Sequence, residues 1–142
     1  MSENGSWVIG AVVLICLLGL SIYVELKRRK GMSRYWARTC AGREWKTKFP
    51  SATKEEIREF LNQFVDGFAY SRKKRLKFSP DDRVLDVYHA ENPEEIFADA
   101  LELETFARNL QGRYGVDLAK LQRPDITLGD VFELSRRQGG RV

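Results

Sequence analysis

An uninterrupted apolar run near the N-terminus constrains this chain more than any other feature of its sequence. Residues 7–24 read WVIGAVVLICLLGLSIYV and contain no charged side chain. A helix of that length extends about 27 Å, close to the roughly 30 Å hydrocarbon core of a bilayer. The rest of the chain is too short to enclose a helix that is apolar on every face. We therefore predict a transmembrane helix over residues 7–26.

The flanks of the run distinguish an uncleaved anchor from a cleaved signal peptide. A signal peptide has a basic N-terminal region and a small-x-small cleavage site. Residues 1–6 (MSENGS) carry no basic side chain, and the run ends in Tyr-Val-Glu-Leu-Lys-Arg. Cys16 also lacks the small preceding residue of a lipoprotein signal. We expect the helix to remain as an anchor.

Basic charge is concentrated directly after the apolar run. Residues 25–50 contain nine basic and two acidic residues, a net charge of +7, whereas residues 51–142 have a net charge of −2. The positive-inside rule predicts a single-pass protein of the cell membrane, with residues 1–6 outside and the C-terminal part in the cytoplasm. The basic stretch fits a role in attracting anionic lipid, and it fits equally well a signal that does no more than set the orientation of the helix. The residues expected at the membrane surface are Lys27, Arg28, Arg29, Lys30 and Arg34.

Residues 27–50 are interpreted as a basic juxtamembrane linker, because no sustained apolar period runs through them. Tyr35, Trp36 and Trp45 are interleaved with cations, which is also typical of a segment lying along a membrane surface. Of these two interpretations we favour an ordinary tether.

Capping signals and apolar periodicity predict an all-α domain over residues 51–138, with a tail at 139–142. A capping box formed by Thr53 and Glu56 begins a first helix, which ends near residues 67–70. Residues 71–92 are predicted to form a long loop, with a short extended piece at 83–88.

Two further helices complete the expected domain. One is predicted to begin at either Pro93 or Asp99 and to end at Gly115, a natural helix terminator. Thr127 and Asp130 cap a last helix that runs to Arg137. A single 3₁₀ turn is also expected at residues 124–126. The three helices and this turn together predict a small bundle of four helical pieces.

Three stretches of this domain resemble acyl carrier proteins: ADALELETF at 98–106, YGVDL at 114–118 and ITLGD at 126–130. Members of that family carry Asp-Ser-Leu at the head of the second helix, and an aromatic-Gly segment follows fourteen residues after the serine. Tyr114 lies 14 residues after Ala100. The resemblance covers residues 53–138 and implies an acyl-carrier-like four-helix bundle.

The chain departs from the family at the attachment site. In acyl carrier proteins the serine of Asp-Ser-Leu bears the phosphopantetheine arm, and here that position is Ala100. A methyl group offers no oxygen for a phosphodiester, so we expect no cofactor and no acyl-carrying chemistry. Alanine is also a good helix former on a buried stripe, which explains the residue without any functional role.

The resemblance also implies a docking face, because basic partner proteins dock on the acidic second helix of acyl carrier proteins. An ordinary solvated face explains the same acids. We favour docking on a basic protein, since a basic run at 72–75 precedes the acids and separated patches of opposite sign orient partners. The expected docking residues are Asp99, Glu94, Glu95, Glu102 and Glu104.

No other constellation in the sequence indicates chemistry. His89 is the only histidine, and a lone histidine beside acids is typical of a solvated loop. We expect no metal site, because three or four ligands are needed. The basic excess lies beside an apolar run and lacks an aromatic stacking platform, so no nucleic acid is expected as a partner.

The sequence therefore favours a non-enzymatic, single-pass membrane protein that presents a degenerate acyl-carrier-like domain to the cytoplasm as a protein-docking module. Two alternatives remain open. One is a carrier or accessory subunit of a membrane-associated lipid or acyl-transfer enzyme system. The other is a sensor of anionic lipid surfaces. The expected partners are the lipid bilayer and a basic protein, and no small-molecule substrate is evident.

Overall fold

The computed structural model describes residues 3–91, 101–117 and 123–139. Their regular secondary structure is helical, and the only β pairing among these residues is an isolated bridge between Arg83 and Thr127. The prediction of an all-α protein is therefore confirmed over the described ranges. The helices are α1 (Glu3–Trp36), α2 (Gly42–Lys48), α3 (Lys54–Gly67), a 3₁₀ helix (Arg72–Lys77), α4 (Val84–Glu91), α5 (Leu101–Tyr114) and α6 (Leu128–Gly139).

The N-terminal helix α1 is longer than the transmembrane helix predicted at 7–26, because it continues to Trp36 without interruption. Its most apolar 18-residue window has a mean hydropathy of 2.6, and no part of that window is buried. Trp7 is 70% exposed and Leu26 is 60% exposed. Within the described residues this is the one helix long and apolar enough to cross a bilayer.

Helices α3, α5 and α6 surround a core that is rich in aromatic rings. Phe60, Phe64 and Phe106 are each 1% exposed or less, and the Phe64 and Phe106 rings meet edge to face at 5.2 Å. Gly67 permits the close crossing of α3 and α5, since a Cβ there would lie 2.8 Å from the Cα of Phe106. Aromatic pairs of this geometry stabilise a core beyond the area that they bury.

These helices begin and end where the sequence signals predict. The Glu56 amide donates to Thr53 Oγ1 (3.1 Å), and the Thr53 amide donates to Glu56 Oε2 (2.7 Å), which completes the capping box of α3. Thr127 and Asp130 exchange the equivalent pair of hydrogen bonds at the start of α6. Gly115 follows α5 with a φ of +70°, a conformation that glycine adopts without strain.

Residues 27–50 are not the tether expected from the sequence, because several of their side chains are buried. Met32, Tyr35 and Trp45 are 2% exposed or less and belong to the core. The Trp45 indole N–H donates to the carbonyl oxygen of Phe78 (2.8 Å). This segment has no long apolar period because it joins the core only through the last turns of α1 and through the short helix α2.

The extended piece expected at 83–88 is wrong, because residues 84–91 form helix α4. The long loop expected at 71–92 also contains the 3₁₀ helix. The buried residues of α4 recur at helical spacing, but a piece of two turns is too short for this period to be recognised from the sequence. The buried residues are Val84, Val87, Tyr88 and Glu91.

Candidate functional site

The last turns of α1 pack against α4 and connect the apolar helix to the rest of the structure. Gly31 lies at this crossing, where an added Cβ would overlap the carbonyl oxygen of Ala90. Met32 and Tyr35, one residue and one further turn along, point into the core. The absence of a side chain at Gly31 therefore permits the close approach of the two helices.

A buried carboxylate lies beside this crossing. Glu91 is 7% exposed and accepts a hydrogen bond from the Tyr70 hydroxyl (2.8 Å). A guanidinium nitrogen of Arg28 lies 3.2 Å from its other oxygen. The ion pair and the hydrogen bond link α1 and α4 to Tyr70, three residues after the end of α3. A buried acid is stable only when it is paired in this way or protonated.

Burial changes the acidity of both groups in this network. It raises the pKa of the Glu91 carboxyl above its ordinary value, while the Tyr70 hydrogen bond and the Arg28 charge act in the opposite direction. Burial, and secondarily the Glu91 charge, raise the pKa of the Tyr70 hydroxyl. Tyr70 therefore remains a hydrogen-bond donor throughout the physiological range.

A groove of about 600 Å³ opens next to this network, between α1 and the segment of residues 69–74. We call it the junction groove. On the α1 side it is lined by Arg28, Arg29 and Trp36, among others, and on the opposite side by Ser71 and Lys74. The ammonium group of Lys74 lies 4.2 Å from the centroid of the Trp36 ring. The groove thus combines cations from two elements with an aromatic wall.

The predicted membrane-surface cations separate into two groups in the structure. Arg28 and Arg29 line the junction groove, and Glu25 lies 3.6 and 3.1 Å from their guanidinium nitrogens. The other three lie elsewhere on α1: Lys27 lies over the Tyr23 ring at 5.3 Å, Arg34 donates to the Tyr35 hydroxyl at 2.8 Å, and Lys30 is exposed.

The predicted docking acids lie only partly within the described residues. Glu102 is half-buried and Glu104 is exposed, both in the first turn of α5. The structure does not describe Glu94, Glu95 and Asp99, nor Ala100 at the position of the family's attachment serine.

Three residues that line the junction groove could not be predicted from the sequence. Tyr70 and Glu91 were assigned to a helix end and a loop, and Lys74 to a basic run, because nothing local connects them to α1. A glutamate at the fourth apolar position of a short helical stripe was the one available signal for Glu91.

Other candidate chemistry is sparse in the described ranges. His89 is exposed, and its ring centroid lies 5.6 Å from that of Tyr88. Among the described residues, no group of three or more His, Cys, Asp or Glu side chains is placed to hold a metal ion. Arg38 and Asp82 form a 2.6 Å ion pair whose carboxylate also accepts from the Ser79 amide, which holds two segments of the fold together.

No family model, no curated protein and no solved structure matches this chain. The resemblance to acyl carrier proteins therefore stays a prediction.

Proposed function

We propose that this chain is a non-enzymatic single-pass membrane protein whose helical domain is a protein-docking module held rigidly on its anchor. One observation carries the proposal: α1 is a single helix whose apolar part is exposed and whose last turns are buried in the domain core. An exposed apolar helix of this length is stable in lipid rather than in water. The basic flank after it supports a cytoplasmic domain.

Membrane extraction tests the anchor. Full-length protein should remain with membranes in alkaline carbonate and in high salt, because the buried apolar residues outweigh any electrostatic attraction. Protease protection of the N-terminus in sealed cells or vesicles tests the orientation. Release by salt alone would contradict the anchor, and a protected C-terminal domain in inside-out vesicles would contradict the orientation.

We propose further that the domain follows the acyl-carrier-like bundle without its prosthetic arm. The order of α3, α5 and α6 supports this, as do the capping boxes at Thr53 and Thr127 and the glycine at 115. In this arrangement the acids at the start of α5 form the docking face, with Glu104 exposed and Leu103 packed toward the core.

Charge reversal tests the docking face after a partner has been captured from detergent-solubilised membranes. Replacing Glu94, Glu95 and Glu102 by lysine should slow association with a basic partner, and the effect should shrink as salt increases. Glu133→Lys, on α6, is the control for a change of surface charge elsewhere on the domain. Equal association rates for the triple variant and the wild type would identify these acids as an ordinary solvated face.

A further inference from the structure

A pocket outside the junction groove is lined by cations that the proposed docking function does not use. It has a volume of about 310 Å³, within the range of ligand pockets in proteins. Helix α2 contributes Arg43 and Lys46 to its lining, and α3 contributes Lys54 and Arg58. No carboxylate is among the described residues that line it. We call it the basic pocket.

Backbone and side-chain contacts hold the segments around the basic pocket in place. The Lys46 ammonium group donates to the carbonyl oxygens of Ala52 (2.6 Å) and Pro50 (3.3 Å), directly before α3 begins. The Ala41 amide donates to the carbonyl oxygen of Leu76 (2.7 Å), which joins the residue before α2 to the 3₁₀ helix. These contacts fix the position of the pocket within the fold.

Three of the four cations are available to a ligand. Arg43, Lys54 and Arg58 are exposed, and none of them forms an ion pair with another described residue. Lys54 and Arg58 are four positions apart on α3, so their side chains are neighbours on the surface of that helix. Lys46 is held by its two carbonyl contacts and adds its charge. The basic pocket therefore presents positive charge from two helices.

Acids of the same two helices are directed elsewhere. Glu44 of α2 accepts a hydrogen bond from the hydroxyl of Ser79. In α3, Glu55, Glu56 and Glu59 line a different groove, on the side of α5 and α6. The acids that are nearest in the sequence therefore do not compensate the charge of the basic pocket.

The lining indicates the class of ligand. Ile57 and Leu76 add apolar surface beside the cations, and guanidinium and ammonium groups pair with carboxylates. An acidic segment that carries an apolar side chain matches both features. Single-stranded nucleic acid is held on aromatic stacking platforms, and no aromatic ring is among the described residues of this lining.

The place of the basic pocket along the chain favours a protein segment over a lipid headgroup. Trp36, the last residue of α1, lies twelve residues beyond Val24, about 18 Å along the helix. The polar layer on each side of a bilayer is only about 5–8 Å thick, from the difference between total and hydrocarbon thickness. The described lining of the basic pocket contains no residue of α1 and begins at Cys40, after that helix has ended.

We propose that the basic pocket docks an acidic segment of a partner protein. An apolar side chain of that segment contacts Ile57 and Leu76, and carboxylates on either side of it pair with Arg43, Lys54 and Arg58. Charge complementarity of this kind orients a partner and selects against basic ones. The inference goes beyond the proposed docking face of α5, which attracts a basic partner, and each of the two sites can fail without the other.

Protection of Cys40 tests the site, because its exposed thiol lines the basic pocket. Full-length protein carrying Cys16→Ala is alkylated with N-ethylmaleimide in neutral detergent at low salt. The blocked peptide Glu-Glu-Leu-Glu-Glu, at up to millimolar concentration, should slow the alkylation in a saturable way. The peptides Gln-Gln-Leu-Gln-Gln and Glu-Glu-Ser-Glu-Glu should protect less. No protection by the first peptide, or equal protection by all three, would overturn the proposal.

Single substitutions locate the binding site of the peptide. Arg43→Gln, Lys54→Gln and Arg58→Gln should each raise the peptide concentration for half-protection by up to about fivefold, the effect of one exposed ion pair. Each rate is taken relative to the same variant without peptide, so that any change in the reactivity of the thiol itself cancels. A variant that fails to fold in a proteolysis assay is left out, since the three cations lie on two helices and each tests the site alone.

Two cations elsewhere serve as matched controls. Arg108→Gln and Lys73→Gln remove the same charges from exposed positions outside the lining, so half-protection should need the same peptide concentration as in the wild type. Arg58→Lys keeps the charge and should keep the protection. Equal losses in the pocket variants and the two controls would overturn the site.

Lipid and inorganic phosphate are tested with the same thiol. In phosphatidylcholine vesicles, a minor fraction of phosphatidylglycerol should leave the alkylation rate of Cys40 unchanged, and so should millimolar phosphate in detergent. Protection by either one, to the extent that the acidic peptide protects, would overturn the assignment to a protein segment. Failure of the proposed docking face would be recognised separately, from the charge reversals on α5.

Discussion

Replacing Trp45 by alanine tests whether the segment after α1 belongs to the domain core. The Trp45 side chain is fully buried, and its indole N–H donates to the carbonyl oxygen of Phe78 at 2.8 Å. Its ring lies 6.0 Å from that of Phe60 and 5.6 Å from that of Phe132. Trp45 thus joins α2 to both α3 and α6.

The expected loss of stability follows from these contacts. Truncation of a buried tryptophan to alanine costs about 3–5 kcal/mol. The Phe78 carbonyl also loses its donor, and an unsatisfied buried acceptor costs about 1–3 kcal/mol. A total of about 4–8 kcal/mol is comparable with the whole stability of a small domain. Trp45→Phe keeps most of the apolar surface and removes only the donor, so it should cost about 1–3 kcal/mol.

Pulse proteolysis of full-length protein in neutral detergent, over a series of urea concentrations, measures the unfolded fraction of the domain alone. With a urea dependence of about 2 kcal/mol per molar, Trp45→Ala should lower the midpoint by about 2–4 M. Trp7→Ala is the matched control, because Trp7 is 70% exposed on the apolar part of α1. Its midpoint should equal that of the wild type.

A small effect would refute the reasoning. If Trp45→Ala lowers the midpoint by less than about 0.5 M, equivalent to about 1 kcal/mol, then α2 contributes little to the core. The segment after α1 would then be the tether that its lack of apolar period suggests.

Four further predictions concern the junction, the cap of α6 and the missing prosthetic arm. Gly31→Ala should destabilise the domain by about 1–3 kcal/mol in the same assay, because its Cβ meets the Ala90 backbone, whereas Gly112→Ala fills open space on a helix and should be neutral or stabilising. The raised pKa of Glu91 stabilises the fold at acid pH and loses this contribution as pH rises above 4.5, so stability relative to Glu91→Gln should fall with rising pH. The pKa of Asp130 is lowered by its hydrogen bond from the Thr127 amide, so stability relative to Asp130→Asn should instead fall as pH drops below 3.8, and equal slopes for the two variants would contradict both assignments. Incubation with a phosphopantetheinyl transferase and coenzyme A should leave the intact mass unchanged, since Ala100 offers no hydroxyl, and a gain of one phosphopantetheine would refute that interpretation.

The elements that could be predicted from sequence are those with local signals. The capping box at Thr53 and the cap at Thr127 each depend on two residues that are three positions apart. The end of α5 depends on one glycine, at 115. All three signals occur where expected. Helix α3 also carries a long apolar stripe, which a window of about fourteen residues detects.

The elements that could not be predicted depend on distant partners. Helices α2 and α4 have seven and eight residues, too short to be stable from propensity alone. Trp45 is positioned by the Phe78 carbonyl, 33 residues away along the chain. The junction groove has the same character: Arg29 and Lys74 are 45 positions apart in the sequence, so a charge count assigns them to unrelated runs.

The continuity of α1 determines how the domain is presented. Thirty-four helical residues extend about 51 Å, of which about 30 Å would cross the hydrocarbon core. The last turns are held by the crossing at Gly31 and by the ion pair between Arg28 and Glu91. A flexible tether would let the domain sample many orientations, and a partner would lose that freedom on binding. With a helix in place of the tether, a partner that binds the proposed docking face would meet α5 at a fixed height and angle.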